Sequence, residues 1–269
     1  MQTSHNYLNN VLGGILVPIR TSIKHMSLMQ MLIKREIVTR TSGTVLGILW
    51  PLLQPAMQVL GFWFLFDVVY GMRQNRGPSY LEFLLTGMLP WMCLSEVLNR
   101  AAGMFREFSS LYHRAPFPIE MLPVFIMIIP ALVYALVYGL LCFYMFGFIA
   151  AAKSLLVLPL LLLWLLPFTL LFSVLGVFMR DFTQVLPFLL MLALYCTPIL
   201  YFPDMLPTQA QSWLWLNPFA DVMTCIHALV QGSTIDAATG LRLLLVWLVL
   251  LVPSWHIFRR SLPHIREVL

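Results

Sequence analysis

Charge is what this sequence has least of. Only 10% of its 269 residues are Asp, Glu, Lys or Arg, against ~25% in an ordinary soluble domain. The chain is 60% hydrophobic, and a soluble protein of this length has no core large enough to hide that surface, so the solvent must be lipid. Cysteine is sparse too. Cys93, Cys142, Cys196 and Cys225 lie in or beside apolar stretches without metal-like pairing, which excludes a disulfide framework and reads as packing. The six histidines (His5, His25, His113, His227, His256, His264) form no metal-spaced pair, so no metal site is expected. No Ser, Cys or carboxylate constellation points to catalysis, and the chain is not expected to be an enzyme. GFIAAAKS at 147–154 approaches a phosphate-binding loop but has Ala152 where the second glycine belongs. That match is rejected, and no nucleotide cofactor is expected on this chain. No short apolar region followed by a small-residue cleavage site opens the sequence, so no cleaved signal peptide is expected.

Six apolar segments remain, at residues 46–70, 83–99, 121–152, 154–179, 182–202 and 243–258. With its flanks, each can cross ~30 Å of hydrocarbon as a helix of ~20 residues. None alternates in polarity as a barrel strand would. The expected fold is therefore an all-α membrane protein with six transmembrane helices, forming one membrane domain over 1–269. With the N-terminus inside, twelve of the 16 basic residues fall in cytoplasmic parts; Arg73, Arg76, Lys153 and Arg242 fall outside. The excess of inner Lys and Arg predicts N-in/C-in. The net charge of +5 fits anionic membrane lipid as a partner. Nucleic acid is not expected, because the basic residues are spread among loops.

Three connecting regions carry information. Residues 22–40 place Ile23, Met26, Ile33 and Ile37 at helical spacing, with Lys24, Lys34 and Arg35 on the other face and Ser22 able to cap; this predicts an amphipathic interfacial helix. Residues 104–118 are short and basic, and Pro116 ends a helix predicted over 101–113. That segment is either a solvated connector or a docking helix. Residues 197–220 hold four prolines and one charge, Asp204. They are too broken for a span and too apolar for a free loop, which predicts re-entrant or interfacial helices between spans five and six. Tyr201, Trp213, Trp215 and Phe219 then serve an interfacial aromatic belt or line an exit.

Few charges enter the spans. Glu96 stands four residues before Arg100, which predicts a structural ion pair on one helix face; Asp67 is expected near the outer headgroups. Neither forms an ion relay. A path poor in charge and rich in aromatic rings suits a bulky substrate with stackable faces. Trp50, Phe62, Trp63, Phe64 and Phe66 on the first span are the candidates, with ordinary packing as the alternative role.

Three sequence blocks resemble the membrane subunits of ABC-2-type polysaccharide exporters: REIVTRTSGTVLGILWPLLQP at 35–55; FLLTGMLPW at 83–91 with RAPFPIEMLP at 114–123; and RDFTQVLPFLL at 180–190 with TPILY and LNPF downstream. Together they cover roughly residues 32–232, and they are more similar to the O-antigen branch than to the capsule or teichoic-acid branches. Thr41 and Thr197 stand where many relatives carry an aromatic and a serine. The resemblance implies a channel-forming permease that works as a homodimer with two copies of a separate nucleotide-binding ATPase, which would hold ATP and Mg. It implies export of a lipid-linked glycan from cytoplasm to periplasm across the bacterial inner membrane. It makes 22–40 a gate helix, 104–118 a coupling helix with Phe105, Arg106, Tyr112, His113 and Arg114 facing the ATPase, and 201–220 a periplasmic re-entrant region. Within that frame, Arg35 and Arg40 are the expected contacts of the lipid-phosphate head, and Trp50, Phe62, Trp63 and Phe66 line the channel. A capsular polysaccharide or small-molecule ABC-2 permease is the alternative; an autonomous secondary carrier would need an inverted repeat, which the halves do not show.

Overall fold

The structure, a computed structural model, describes residues 17–71, 78–109 and 117–268. The described residues are almost entirely helical and contain no strand. Two short helices, α1 (Val17–Lys24) and α2 (Met26–Thr41), lead into α3 (Trp50–Trp63), which continues as a wider π-type turn over Phe64–Val69. Then come α4 (Pro78–Glu107), α5 (Leu122–Phe146), α6 (Phe148–Phe178), α7 (Phe182–Cys196), α8 (Thr208–Leu214), α9 (Pro218–Gln231) and α10 (Ala237–Val268).

Five stretches are long and apolar enough to cross a membrane: Trp50–Val69, Tyr80–Glu107, Ile119–Phe146, Phe148–Phe178 and Ala237–Ile265. The fifth span expected from the sequence is the 15-residue α7. At 1.5 Å per residue it reaches only ~22 Å, short of the hydrocarbon thickness. The expected capped helix over 22–40 is two helices broken at His25. Ser22 does not cap: it is buried inside α1 and donates to the Pro18 carbonyl at 2.7 Å. The helix starts earlier because Pro18 suits a first turn.

The centre of the bundle is α4, whose apolar window is 72% buried, against 6% for α3. Its neighbours α5 and α6 form an antiparallel hairpin, and α6 also lies along α10. One residue makes the α5–α6 turn. Gly147 has φ +84° and follows α5 while starting α6, a conformation that only glycine adopts without strain. Nothing lies within 4 Å of a Cβ built there, so Gly147→Val should cost only backbone strain, about 1–2 kcal/mol. A small drop in the thermal midpoint of the detergent-purified protein would show it. The same residue opens GFIAAAKS as a hairpin turn, in which Ser154 is buried and donates to the Ala151 carbonyl.

The segment between α7 and α10 folds back on itself. Asn217 accepts from the Phe219 amide at the start of α9, and its amide donates to the Cys196 carbonyl (3.1 Å) and to Thr197 Oγ1 (3.0 Å). The end of α7 is thereby tied to the start of α9. Phe219, expected in an aromatic belt, instead packs among Trp91, Trp164 and Phe168. Trp213 and Trp215 are exposed, as a belt requires.

Candidate functional site: a polar cleft floored by charges

One stretch of α2 and the last three turns of α4 assemble five charged side chains. Glu36 and Arg40, one helical turn apart, pair at 2.9 Å. Arg40 also reaches Glu96 on α4 at 3.2 Å. Arg100 pairs with Glu36 at 2.7 Å and with Glu107 at 3.4 Å, and donates to the Ile126 carbonyl at 3.4 Å. The pair expected between Glu96 and Arg100 is therefore replaced by two pairs that cross between helices. Arg100 and Glu36 each leave only 12% of the side chain exposed, and at such half-dry sites a direct partner on a neighbouring helix gains more than an exposed pair along one helix. Burial opposes the charge on Arg40, but the hydrogen bond it donates to Glu36 and the field of Glu96 outweigh it, so its guanidinium is held above its usual value.

Above this floor lies a cleft of about 570 Å³ between α3, α4 and α5. Arg40, Glu96 and Arg100 close one end; Gln54 and Gln58 on α3 and Ser95 and Asn99 on α4 supply neutral polar groups. Asn99 Oδ1 is buried without a hydrogen-bond partner among the described residues. Uncharged, hydrogen-bonding walls of this size suit water or a hydroxyl-bearing ligand.

The remaining predicted residues divide by burial. Arg35 is exposed on α2, with no ion pair among the described residues. Trp50 and Trp63 are exposed, and Trp63 lines a smaller cavity with Glu82 and Tyr144. Phe62 and Phe66 are instead packed, stacking on each other at 6.3 Å, and Phe66 continues to Tyr80 at 6.0 Å. Phe105 cannot face a partner: it is 1% exposed and stacks on Phe258, because α4 runs unbroken to Glu107 and carries it into the core. Arg106 donates to the Gly176 carbonyl at 2.6 Å and the Val177 carbonyl at 3.5 Å, satisfying the end of α6. Tyr112, His113 and Arg114 lie outside the described residues. No group of metal-binding side chains occurs among the described residues.

Sequence reasoning missed Glu36, although its four-residue spacing to Arg40 is the same signal used for Glu96 and Arg100. It also missed His227, which is buried on α9, stacked on Phe83 at 4.1 Å and 3.0 Å from Thr86 Oγ1. No local pattern marks that contact across 141 residues. The two arginines proposed for one role are thus unequal. Arg35→Gln should change stability by less than ~0.5 kcal/mol, whereas Arg40→Gln removes the ion-pair partner of Glu96 and leaves Glu36 with Arg100 alone, and should cost about 1–2 kcal/mol. Paired thermal melts in detergent check this ordering.

A family model described as ABC-2 type transporter matches residues 27–230, from α2 to α9. Over 255 residues the chain is 24% identical to the O-antigen export system permease protein RfbA of Klebsiella pneumoniae, covering 90% of this chain and 95% of that protein. A protein of the same name from Myxococcus xanthus is 29% identical over 251 residues, covering 85% and 92%. The polysialic acid transport protein KpsM of Escherichia coli is 27% identical over 217 residues, covering 78% and 83%.

Proposed function

The chain belongs to the ABC-2 type transporter family, and from that premise we propose that it is the channel-forming permease of an ATP-driven exporter of polysaccharide. The observation that carries this reading is the family match together with near full-length similarity to two permeases named for O-antigen export. The chain is a multi-pass protein of the inner membrane. In this reading α7 and the helices after it complete a six-span, N-in/C-in topology. Its support is the inner excess of basic residues, and the broken α7–α9 segment then forms the re-entrant turn on the periplasmic side. Two copies form the channel, and each engages a separate nucleotide-binding subunit that hydrolyses ATP with Mg.

The substrate in this reading is a lipid-linked O-antigen moving outward. Arg35, exposed at the membrane-facing helix, holds phosphate at the entrance, while Arg40 is committed to carboxylates. The exposed Trp50 and Trp63 offer faces to sugar rings. Similarity to a polysialic acid transport protein favours a second reading in which the glycan is a capsular polysaccharide. Deleting the gene tests both. Surface glycan should vanish and undecorated lipid-linked glycan should build up inside the cell, with chemical typing of the trapped glycan separating O-antigen from capsule. Normal surface glycan in the deletion strain would overturn the proposal.

A further inference from the structure

A groove on the α5–α6 hairpin is unlike the polar cleft, because every side chain that lines it is apolar. Its volume is about 350 Å³, and it runs beside Val124, Ile128 and Ala131 on α5 and Pro159 and Leu162 on α6, with Ile19 of α1 joining the lining. No residue of α3 or α7 contributes to it. We propose that this groove holds an acyl chain of an anionic phospholipid whose phosphate is bound by Arg20 and Lys24 on α1.

Three observations converge on this. First, the groove faces lipid. Leu132 and Leu163, which help to line it, are exposed, and both of its helices are long and apolar enough to span. On α5 it covers residues 124–132, ~12 Å of helix. That is the half of the span that begins beside the 119–121 turn, and α1 packs against both that turn and α5. Second, α1 carries the charge that a phosphate needs. Arg20 directly follows Ile19, and Lys24 lies one turn on along the same face. Both are exposed, and neither has an ion pair among the described residues. The carboxylate on the adjoining turn, Glu120, pairs with neither and lines a separate cavity with Arg259. Third, Ile23 stands one turn from Ile19 and is exposed. The helix thus offers an apolar edge to the bilayer beside two long basic side chains, whose charged ends reach headgroup level.

The two parts do different work. An acyl chain is already in hydrocarbon, so entering the groove gains it little. Selection therefore falls to the headgroup, where each Arg or Lys adds attraction for an anionic lipid. The groove sets where the lipid sits, and the two cations set which lipid it is. That the leaflet concerned is the inner one rests on the N-in orientation proposed above; the binding depends neither on that orientation nor on what is exported.

The test uses the full chain in detergent, titrated with phosphatidylglycerol and with phosphatidylethanolamine of identical acyl chains, and counts retained lipid by native mass spectrometry. Phosphatidylglycerol should be retained about tenfold or more over the zwitterionic lipid. Arg20→Gln with Lys24→Gln should bring the two lipids close to equal. Arg259→Gln with Arg260→Gln, two exposed cations on α10 away from the groove, should leave the preference intact. Phosphatidylglycerol carrying a photoreactive group midway along one chain should cross-link the unsubstituted protein within 124–132 or 159–166. Equal retention of the two lipids, a preference that survives the α1 substitutions, or one lost equally with the α10 pair would overturn the proposal. Cross-links confined to other segments would overturn it too, and this arm decides alone if the variants do not purify as single species. Tighter retention of a polyprenyl phosphate than of phosphatidylglycerol would assign the groove to the anchor of an exported glycan and overturn the phospholipid assignment.

Discussion

Replacing Gly176 with alanine is expected to prevent the bundle from assembling. Gly176 sits near the end of α6 where that helix meets α4 backbone to backbone. A Cβ built there overlaps the carbonyl oxygen of Ala102 and lies 2.9 Å from the Ala102 Cα. No rotamer relieves this, because the obstacle is main chain. Relief requires one of the two most buried helices to move off the other, which also pulls the Gly176 carbonyl away from Arg106. Helices in lipid gain little from water exclusion and depend on such close approaches of small residues. The cost should exceed the ordinary range for overpacking and reach about 4 kcal/mol or more. Size-exclusion profiles of a fluorescent fusion should show the monodisperse peak lost. Gly103→Ala, on the same stretch of α4 but with open space at its Cβ, should keep the peak and gain slightly from helix propensity.

The second large effect is expected at the Glu36–Arg100 pair. Each side chain is only 12% exposed, so removing one partner breaks the shortest contact of a charge in a half-dry site, leaving Glu36 with Arg40 or Arg100 with Glu107 as the remaining pair. Arg100→Met and Glu36→Gln should each cost about 3 kcal/mol, a fall of roughly 6–12 °C in the thermal midpoint for a chain of this size. Making both changes together should cost less than the sum by about 1 kcal/mol or more, because the second substitution removes the charge whose shortest contact the first had already broken. Additive losses would mean that the two side chains act independently, in conflict with their 2.7 Å contact.

Much of this fold is legible in the sequence because lipid imposes one rule on every span. An uncharged run of sufficient length must be helical, and residues 83–99 and 243–258 fall inside long helices and 154–178 inside α6, while 121–152 runs through α5 past the Gly147 turn into the start of α6. The broken segment after α7 announces itself through its prolines, and Asn-Pro at 217–218 marks the start of α9. What is not legible is partner choice. Glu96 and Arg100 have ideal spacing for each other, yet tertiary approach of α2 offers Arg100 the better-buried Glu36 and leaves Glu96 to Arg40. Phe105 and Phe219 read as surface aromatics beside a loop and a belt, yet Phe105 is core and Phe219 is half-buried against it, since whether an aromatic faces lipid or protein depends on neighbours far away in sequence. Ser22 has the chemistry of a cap but lies inside a helix that begins one turn sooner. α7 shows the limit of counting apolar residues: 182–202 is long enough to span, yet Thr197 and Pro198 end the helix after Cys196.

The measurement that bears most directly on the permease reading is transport in a defined membrane. The chain is co-reconstituted with its nucleotide-binding subunit in vesicles carrying the lipid-linked glycan purified from the deletion strain. ATP should drive the glycan to the opposite leaflet, read as its passage into or out of reach of an added glycosidase, and a hydrolysis-deficient ATPase subunit should abolish the effect. Glycan movement that is the same without ATP, or without this chain, would contradict the assignment of the chain as the export permease.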